Sequence, residues 1–227
     1  MRAVDIATNL RTVYDHVADA ARDAGRDPED ITVVAVGKNH PVAGMERALQ
    51  AGHRVFGENR VQEAQGKWPA LRERWPDVSL HLIGPLQGNK VKDAVALFDV
   101  IETVDRPRIA ERLAAAMTET GRRPRCLVQV NTGHEAQKAG ILPEEADVFL
   151  DWARKEKRLP VEGVMAIPPL DEEPSPHFAF LEDLAQRHRL PMVSMGMSGD
   201  YEIAVRFGAT HVRVGTAIFG ERPYSGT

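Results

Sequence analysis

The chain has 227 residues, a hydrophobic content of 43% and a formal net charge of -4 at pH 7. This length suffices for one sizeable core, so we expect a single domain over residues 1–227, with two small domains as the alternative. The acidic balance gives no reason to expect a nucleic-acid or anionic-membrane surface, which would need clustered basic side chains. The one cysteine, Cys126, excludes an intrachain disulfide and favours the cytoplasm. We expect neither a membrane span nor an export signal.

Apolar residues at helical spacing predict an amphipathic helix over residues 4–24. The next run, 31–36, is nearly all apolar and rich in β-branched residues, as expected for a strand covered on both faces. A helix that opens at Pro41 and ends before Gly52 follows, with the proline-first and glycine-last asymmetry of helices.

The same alternation of strand and helix continues to the end of the chain. Further strands are predicted at 54–56, 79–83, 100–104, 126–130, 161–166, 192–195 and 211–214. Helical cores are predicted at 61–72, 90–97, 107–119, 143–155, 177–187 and 201–207. About eight βα units with short loops match an α/β fold of the (β/α)8 TIM-barrel type with an additional N-terminal helix. An open doubly wound sheet is the alternative.

The C-terminal ends of the strands form the active face of such a barrel, so residues that follow the strands are the candidates for a site. Lys38 follows the apolar first strand, where its amine would be partly desolvated. Desolvation favours the neutral amine, which is a nucleophile toward aldehydes and ketones, so this position predicts a Schiff-base lysine. The alternative is a lysine that merely reaches solvent at a strand end.

Two glycine-containing turns follow the seventh and eighth predicted strands, at 196–200 and 213–216. Backbone N–H groups in such turns bind phosphate, and Ser198 and Thr216 would add hydroxyl donors. Simple turn formation by glycine and serine is the alternative. Together with Lys38, these turns predict a site for an aldehyde that carries a phosphate, which could be a phosphosugar or pyridoxal phosphate. No histidines are paired at ligand spacing, so we expect no metal site.

Five ordered motifs carry a resemblance to a known family. They are VAVGK at 34–38, FGENRVQE at 56–63, HLIGPLQGNK at 81–90, SMGMSGD at 194–200 and VRVGTAIFG at 212–220. Over nearly its whole length the chain resembles the pyridoxal phosphate homeostasis proteins, whose barrel is similar to the N-terminal domain of alanine racemase. The resemblance implies that pyridoxal phosphate, a vitamin B6 cofactor, is held as an internal aldimine on Lys38.

The resemblance also implies roles for the remaining site residues. Asn59 lies near the ring of the cofactor, and Arg213 faces the pyridine nitrogen. The phosphate is held by residues of the two glycine-containing turns, namely Ser198, Gly199, Gly215 and Thr216. The chain departs from the family pattern at three positions, where Gly37 replaces a common serine and Pro85 and Gly88 replace a histidine and a serine. We therefore do not expect the hydrogen bonds that those serine and histidine side chains would make.

A carrier is the leading functional hypothesis. A pyridine nitrogen beside the always protonated Arg213 should stay unprotonated, which makes the ring a weaker electron sink. This suits a carrier, although racemases of similar architecture work with the same arrangement. The chain stops at Thr227, so we expect no second domain that supplies a tyrosine base, as racemases of similar fold have. We expect a monomer that stores, protects or delivers pyridoxal phosphate without amino-acid turnover, with apo-enzymes as candidate recipients.

Two enzymes remain as alternatives. A racemase-like enzyme would need a base opposite Lys38, for which Tyr201 or a partner subunit is the candidate. A Schiff-base aldolase would act on a phosphosugar. In the carrier hypothesis, the tyrosines Tyr14, Tyr201 and Tyr224 serve packing.

Overall fold

The computed structural model describes residues 4–221. Eight parallel strands close into a barrel in sequence order, with helices between consecutive strands. The first and last strands pair over four positions, from Thr32 opposite His211 to Ala35 opposite Val214, and this pairing closes the sheet. The expected TIM-type barrel is confirmed, and the open doubly wound alternative is wrong.

The strands agree closely with their predicted bounds. They are β1 Thr32–Val36, β2 Val55–Glu58, β3 Ser79–Leu82, β4 Val100–Val104, β5 Arg125–Val130, β6 Val161–Ala166, β7 Met192–Ser194 and β8 His211–Val214. The largest difference is at β2, which runs through Gly57 and Glu58. Glycine disfavours strands, but here a Cβ on residue 57 would lie only 3.0 Å from side-chain atoms of both Val34 and Ile83. The tight barrel interior therefore selects glycine within a strand.

The helices surround the barrel. They are α1 Ile6–Asp23, α2 Val42–Gln50, α3 Val61–Arg74, α4 Val91–Leu97, α5 Pro107–Thr120, α6 Ala146–Lys155, α7 Ser175–His188, α8 Tyr201–Arg206 and α9 Thr216–Phe219. The predicted first turn of α6, Pro143–Glu145, is a 3-10 helix instead. The additional N-terminal helix is confirmed: Asp5 caps α1 by accepting from the N–H of Thr8 at 3.1 Å. Asn9 donates from Nδ2 to the carbonyl of Ile218 at 2.9 Å, which fixes α1 against α9.

The barrel interior divides into an apolar layer and a polar layer. The apolar part is a cluster that consists of Val100, Leu127, Met165 and Met192. Side chains two residues apart on a strand point to the same side, so Glu102 lies one step toward the C-terminal mouth from Val100, and Ser194 lies one step from Met192. His81 and Arg213 are buried with them. This polar layer becomes the base of the site.

Within residues 4–221, no helix combines the length and the apolar character that crossing a membrane requires. That part of the chain also contains no set of three or more His, Cys, Asp or Glu side chains placed to share a metal ion. Cys126 is a buried free thiol in β5, and burial raises its pKa to about 12.

Candidate functional site

A cavity of about 250 Å³ lies at the C-terminal mouth of the barrel. All seven residues predicted from the sequence line it, and these are Lys38, Asn59, Ser198, Gly199, Arg213, Gly215 and Thr216. The lining is completed by four apolar residues, Val36, Ile83, Ile167 and Met197. Small-molecule sites typically enclose roughly 300–1,000 Å³, so this cavity suits a compact ligand.

Two hydrogen bonds from α3 fix the backbone on both sides of Lys38. Lys67 donates from Nζ to the carbonyl of Gly37 at 3.0 Å. The N–H of Asn39 donates to Oε1 of Glu63 at 2.7 Å. Asn39 has a left-handed φ of 61°, which asparagine tolerates better than most residues. These two bonds therefore fix the backbone that carries Lys38 beyond the end of β1.

The glycine at position 37 is explained by its neighbours. A Cβ there would lie 2.5 Å from Sδ of Met45 and 2.9 Å from Oε1 of Glu58. The serine common in the family would therefore displace the Met45 side chain. Oε1 of Glu58 accepts from Nε1 of Trp68 at 3.1 Å and from Nζ of Lys67 at 3.3 Å. The Glu58 carboxylate thus faces α3, and its role in the FGEN motif is structural.

Asn59 lies on the cavity wall with an unused acceptor. Its Oδ1 is buried and has no hydrogen-bond partner among the described residues. Gly84 lets the next loop approach, because a Cβ there would lie 2.3 Å from the carbonyl oxygen of Asn59. Neither Pro85 nor Gly88 lines the cavity, and a Cβ on Gly88 would collide with Nη1 of Arg112 at 2.4 Å. These two departures from the family pattern therefore lie outside the cavity lining.

The turns after β7 and β8 meet on one wall of the cavity. Gly196, two residues after β7, has a φ of 89°, in the left-handed region that favours glycine. Asp200 shapes the following loop, because its Oδ1 accepts from the N–H of Met197 at 2.6 Å. Oγ of Ser198 accepts from the N–H of Gly215 at 3.4 Å and so joins the two turns. Hydroxyl and backbone N–H groups from both turns are therefore available to one anion.

The guanidinium of Arg213 lies at the base of the cavity. Only 4% of this residue is exposed. Its Nη1 donates to Oγ of Ser194 at 2.7 Å, and its Nη2 donates to the carbonyl of Ala166 at 2.9 Å. Burial lowers the pKa of Arg213, and the nearby Glu102 carboxylate opposes that shift. The guanidinium keeps its charge and can donate to an acceptor in the cavity.

Sequence reasoning missed the polar network beneath Arg213. Oγ of Ser194 donates to Oε2 of Glu102 at 2.5 Å, and Nδ1 of His81 lies 2.7 Å from Oε1 of Glu102. Burial alone would raise the pKa of Glu102, but hydrogen bonds and charge from His81, the charge of Arg213 and the Ser194 hydroxyl lower it to about 2. One signal could have found the network, because Glu102 is the only charged residue of the strand VIETV.

The two described tyrosines lie outside the cavity lining. The hydroxyl of Tyr201 is 3.0 Å from Nδ1 of His16 on α1, and the hydroxyl of Tyr14 is 2.8 Å from Nδ1 of His53. The structure therefore does not place Tyr201 opposite Lys38 as a base. Tyr224 lies outside the described residues.

Comparison with known proteins gives consistent matches over most of the chain. Residues 7–223 match the family described as alanine racemase, N-terminal domain. The pyridoxal phosphate homeostasis protein of Escherichia coli (strain K12) is 40% identical over 230 residues, covering 97% of this chain and 98% of that protein. The protein of the same name from Vibrio cholerae is 38% identical, with the same coverage.

Solved structures agree with these matches. The structure of PipY from Synechococcus elongatus PCC7942 with PLP bound has a TM-score of 0.80 and 38% identity, covering 95% of this chain and all of that one. An alanine racemase from Clostridium difficile 630 has a TM-score of 0.73 at 15% identity, covering 97% of this chain and 58% of that one. The likeness to the racemase shows the fold alone.

Proposed function

The chain belongs to the pyridoxal phosphate homeostasis protein family, and from this premise we propose that it binds pyridoxal phosphate at the barrel mouth and stores, protects or delivers it. The observation that carries the proposal is the composition of one cavity. A lysine amine, a buried guanidinium, and the hydroxyl and N–H groups of two turns all line it. These groups complement the aldehyde, the ring nitrogen and the phosphate of this cofactor.

The residues present fit the cofactor one group at a time. Lys38 would hold it covalently through Nζ, and Asn59 would lie beside the ring with its unpartnered Oδ1. The phosphate would be bound by Ser198, Gly199, Gly215 and Thr216. When bound, pyridoxal phosphate supplies a reactive aldehyde conjugated to an electron-withdrawing ring.

The charge on Arg213 supports a carrier. Its guanidinium can only donate hydrogen bonds, so it would hold an unprotonated pyridine nitrogen. An unprotonated ring withdraws electrons less strongly from a bound amino acid. Lys38 and Arg213 are the only titratable side chains among the described residues that line the cavity. Two-base racemisation needs a second proton-exchanging group opposite Lys38, and this lining does not supply one.

We extend the proposal to the setting in which the protein works. The chain acts as one domain and as a monomer, without amino-acid turnover, and passes its cofactor to apo-enzymes. The buried free thiol of Cys126 fits a reducing compartment such as the cytoplasm.

The test is a titration of cofactor-free protein with pyridoxal phosphate, followed by absorption and by mass spectrometry after borohydride reduction. We expect a yellow lysine-bound band and one adduct on Lys38, both lost in Lys38→Ala. Lys92→Ala is the matched control, because Lys92 is an exposed lysine paired with Glu119 on the helical surface. A band that survives in Lys38→Ala would contradict the proposal. Turnover of amino acids above that of free cofactor would contradict its carrier part, and an adduct with a phosphosugar would favour the aldolase.

A further inference from the structure

The side chains beneath the cavity form a relay with only one possible direction of hydrogen-bond donation. Arginine can only donate, so Oγ of Ser194 accepts a hydrogen bond from Arg213 and donates its own proton in a hydrogen bond to Glu102. The Glu102 carboxylate, with a pKa of about 2, is ionised at neutral pH and accepts on both oxygens. Its second bond comes from His81, so Nδ1 of that ring carries a proton. All four residues are at most 4% exposed.

A buried network of charged and polar side chains is an unfavourable choice for a barrel interior in terms of folding free energy. Burying charges costs desolvation energy, and well-packed apolar residues of similar volume often stabilise a protein as much or more. The neighbouring cluster inside the barrel consists of apolar residues, Val100, Leu127, Met165 and Met192. An apolar layer could have filled the same space, so packing alone does not explain why this layer is polar.

We propose that Glu102 is a positioning residue that, through the Ser194 hydroxyl, fixes the Arg213 guanidinium for the ring nitrogen of pyridoxal phosphate. This inference rests on the proposed function and deepens it. Glu102 does not line the cavity, and its hydrogen bond to Ser194 connects it to Arg213, which does.

Two bonds set the plane of the guanidinium. Nη1 is held by Ser194 and Nη2 by the carbonyl of Ala166. Ala166 is part of the β6 backbone, but the Ser194 hydroxyl can rotate and needs Glu102 to orient it. In Glu102→Gln the Ser194 hydroxyl donates to a neutral amide oxygen instead of a carboxylate, and bonds to a neutral acceptor are weaker than bonds to a charged one. One of the two bonds that hold the guanidinium is then weakened.

The sign of the affinity change separates positioning from simple electrostatics. The negative charge of Glu102 repels the dianionic phosphate, so its removal would tighten binding if only the long-range field mattered. Loss of positioning would instead weaken binding, because a charged hydrogen bond to the ring nitrogen depends on geometry. The two effects have opposite directions.

The experiment uses two ligands, pyridoxal phosphate and its carbocyclic analogue in which C–H replaces the ring nitrogen. We expect Glu102→Gln and Ser194→Ala each to weaken binding of pyridoxal phosphate about tenfold, which corresponds to about 1.4 kcal/mol. Binding of the analogue should stay at the wild-type level, because it offers Arg213 no acceptor. The double variant should be no weaker than the weaker single variant, since both break one relay.

Asp99→Asn is the matched control. Asp99 immediately precedes β4, at the opposite end of the strand from the cavity, and its Oδ2 accepts from the N–H of Leu80 at 2.8 Å. This variant also loses one carboxylate charge, and it should lower the melting temperature without changing either affinity. Because Ser194→Ala keeps every charge, it remains informative if Glu102→Gln folds poorly.

Three results would overturn the inference while leaving the proposed function intact. They are unchanged binding of pyridoxal phosphate in both variants, tighter binding, or equal losses for the two ligands. A wild-type protein that does not bind pyridoxal phosphate at all would instead overturn the proposed function, and the inference with it.

Discussion

Two fully buried glutamates, one inside the barrel and one outside it, are held in opposite ways. Glu102 points into the barrel, has hydrogen bonds on both carboxylate oxygens, and has its pKa lowered to about 2. Glu58 lies between the barrel and α3, where Oε2 has no hydrogen-bond partner within residues 4–221. Burial raises the pKa of Glu58, and the charge of Lys67 and the bond from Trp68 only partly oppose it. Burial alone therefore does not determine whether a carboxylate is charged, because the hydrogen-bond donors and positive charges around it set the direction of its pKa shift.

The two glutamates support different walls of the same cavity. Glu102 orients Arg213 from below through Ser194. Glu58 shares Lys67 with the carbonyl of Gly37 and so supports the segment that carries Lys38. The Arg213 guanidinium is thus supported by a carboxylate with hydrogen bonds on both oxygens. The segment of Lys38 is supported by a carboxylate with hydrogen bonds on one oxygen only.

The largest effect that would test this comparison is the pH-dependent contribution of Glu102 to the free energy of unfolding. Its folded pKa of about 2 lies below its ordinary value of 4.5. A lowered carboxylate pKa gives stability that is present above the unfolded pKa and lost as pH falls through the folded one. The shift corresponds to about 3 kcal/mol at neutral pH. We expect Glu102→Gln to be less stable than wild type by about that amount at pH 7 in urea unfolding.

The difference between Glu102→Gln and wild type should shrink as pH falls below about 5. His211, whose pKa burial lowers to about 4 against the opposing charge of Glu102, also destabilises the fold in acid. Above that pH it is neutral in both folded proteins, so its contribution cancels from their difference there. A difference that stays constant from pH 7 to pH 4 would show that Glu102 is not held as a carboxylate.

The next effect concerns crowding around Glu58. In Gly37→Ser the new Cβ meets Sδ of Met45 and Oε1 of Glu58. Overpacking of this kind costs roughly 1–3 kcal/mol, and the flexible end of a methionine favours the lower half of that range. The measurement is urea unfolding of Gly37→Ser, with Gly37→Ser/Met45→Ala compared against Met45→Ala alone. If serine costs as much in the Met45→Ala background as in the wild type, Met45 is not the obstacle.

The contrast between the two glutamates also marks what the sequence could predict. Strand and helix periodicity predicted the barrel, and the rule that sites lie after the strands brought Lys38, Ser198 and Thr216 to one mouth. The family resemblance added Asn59 and Arg213, and all of these residues line the cavity. Local patterns were sufficient because each residue lies near the C-terminal end of its own strand or in the turn that follows it.

The supporting contacts could not be predicted in the same way. The bond between Ser194 and Glu102 joins residues 92 positions apart, and its existence depends on the register of a closed barrel. The outward direction of Glu58 depends on Trp68 and Lys67 one helix later. Strand periodicity gives the face of a side chain, but it does not give the partner on a strand across the barrel.

The smallest effect is expected from Glu58→Gln, and its sign is opposite to that of Glu102→Gln. A raised folded pKa means that wild type loses stability as pH rises from the ordinary value of 4.5 through the folded pKa. The amide keeps an acceptor for Trp68 and Lys67 and removes a charge that is costly to bury. We therefore expect the free energy of unfolding of Glu58→Gln to equal that of wild type or to exceed it by up to about 1 kcal/mol at pH 7. This gain in stability should vanish toward pH 4. Urea unfolding at both pH values measures it, and a loss of about 3 kcal/mol at pH 7, as for Glu102→Gln, would mean that both glutamates are held as fully bonded carboxylates.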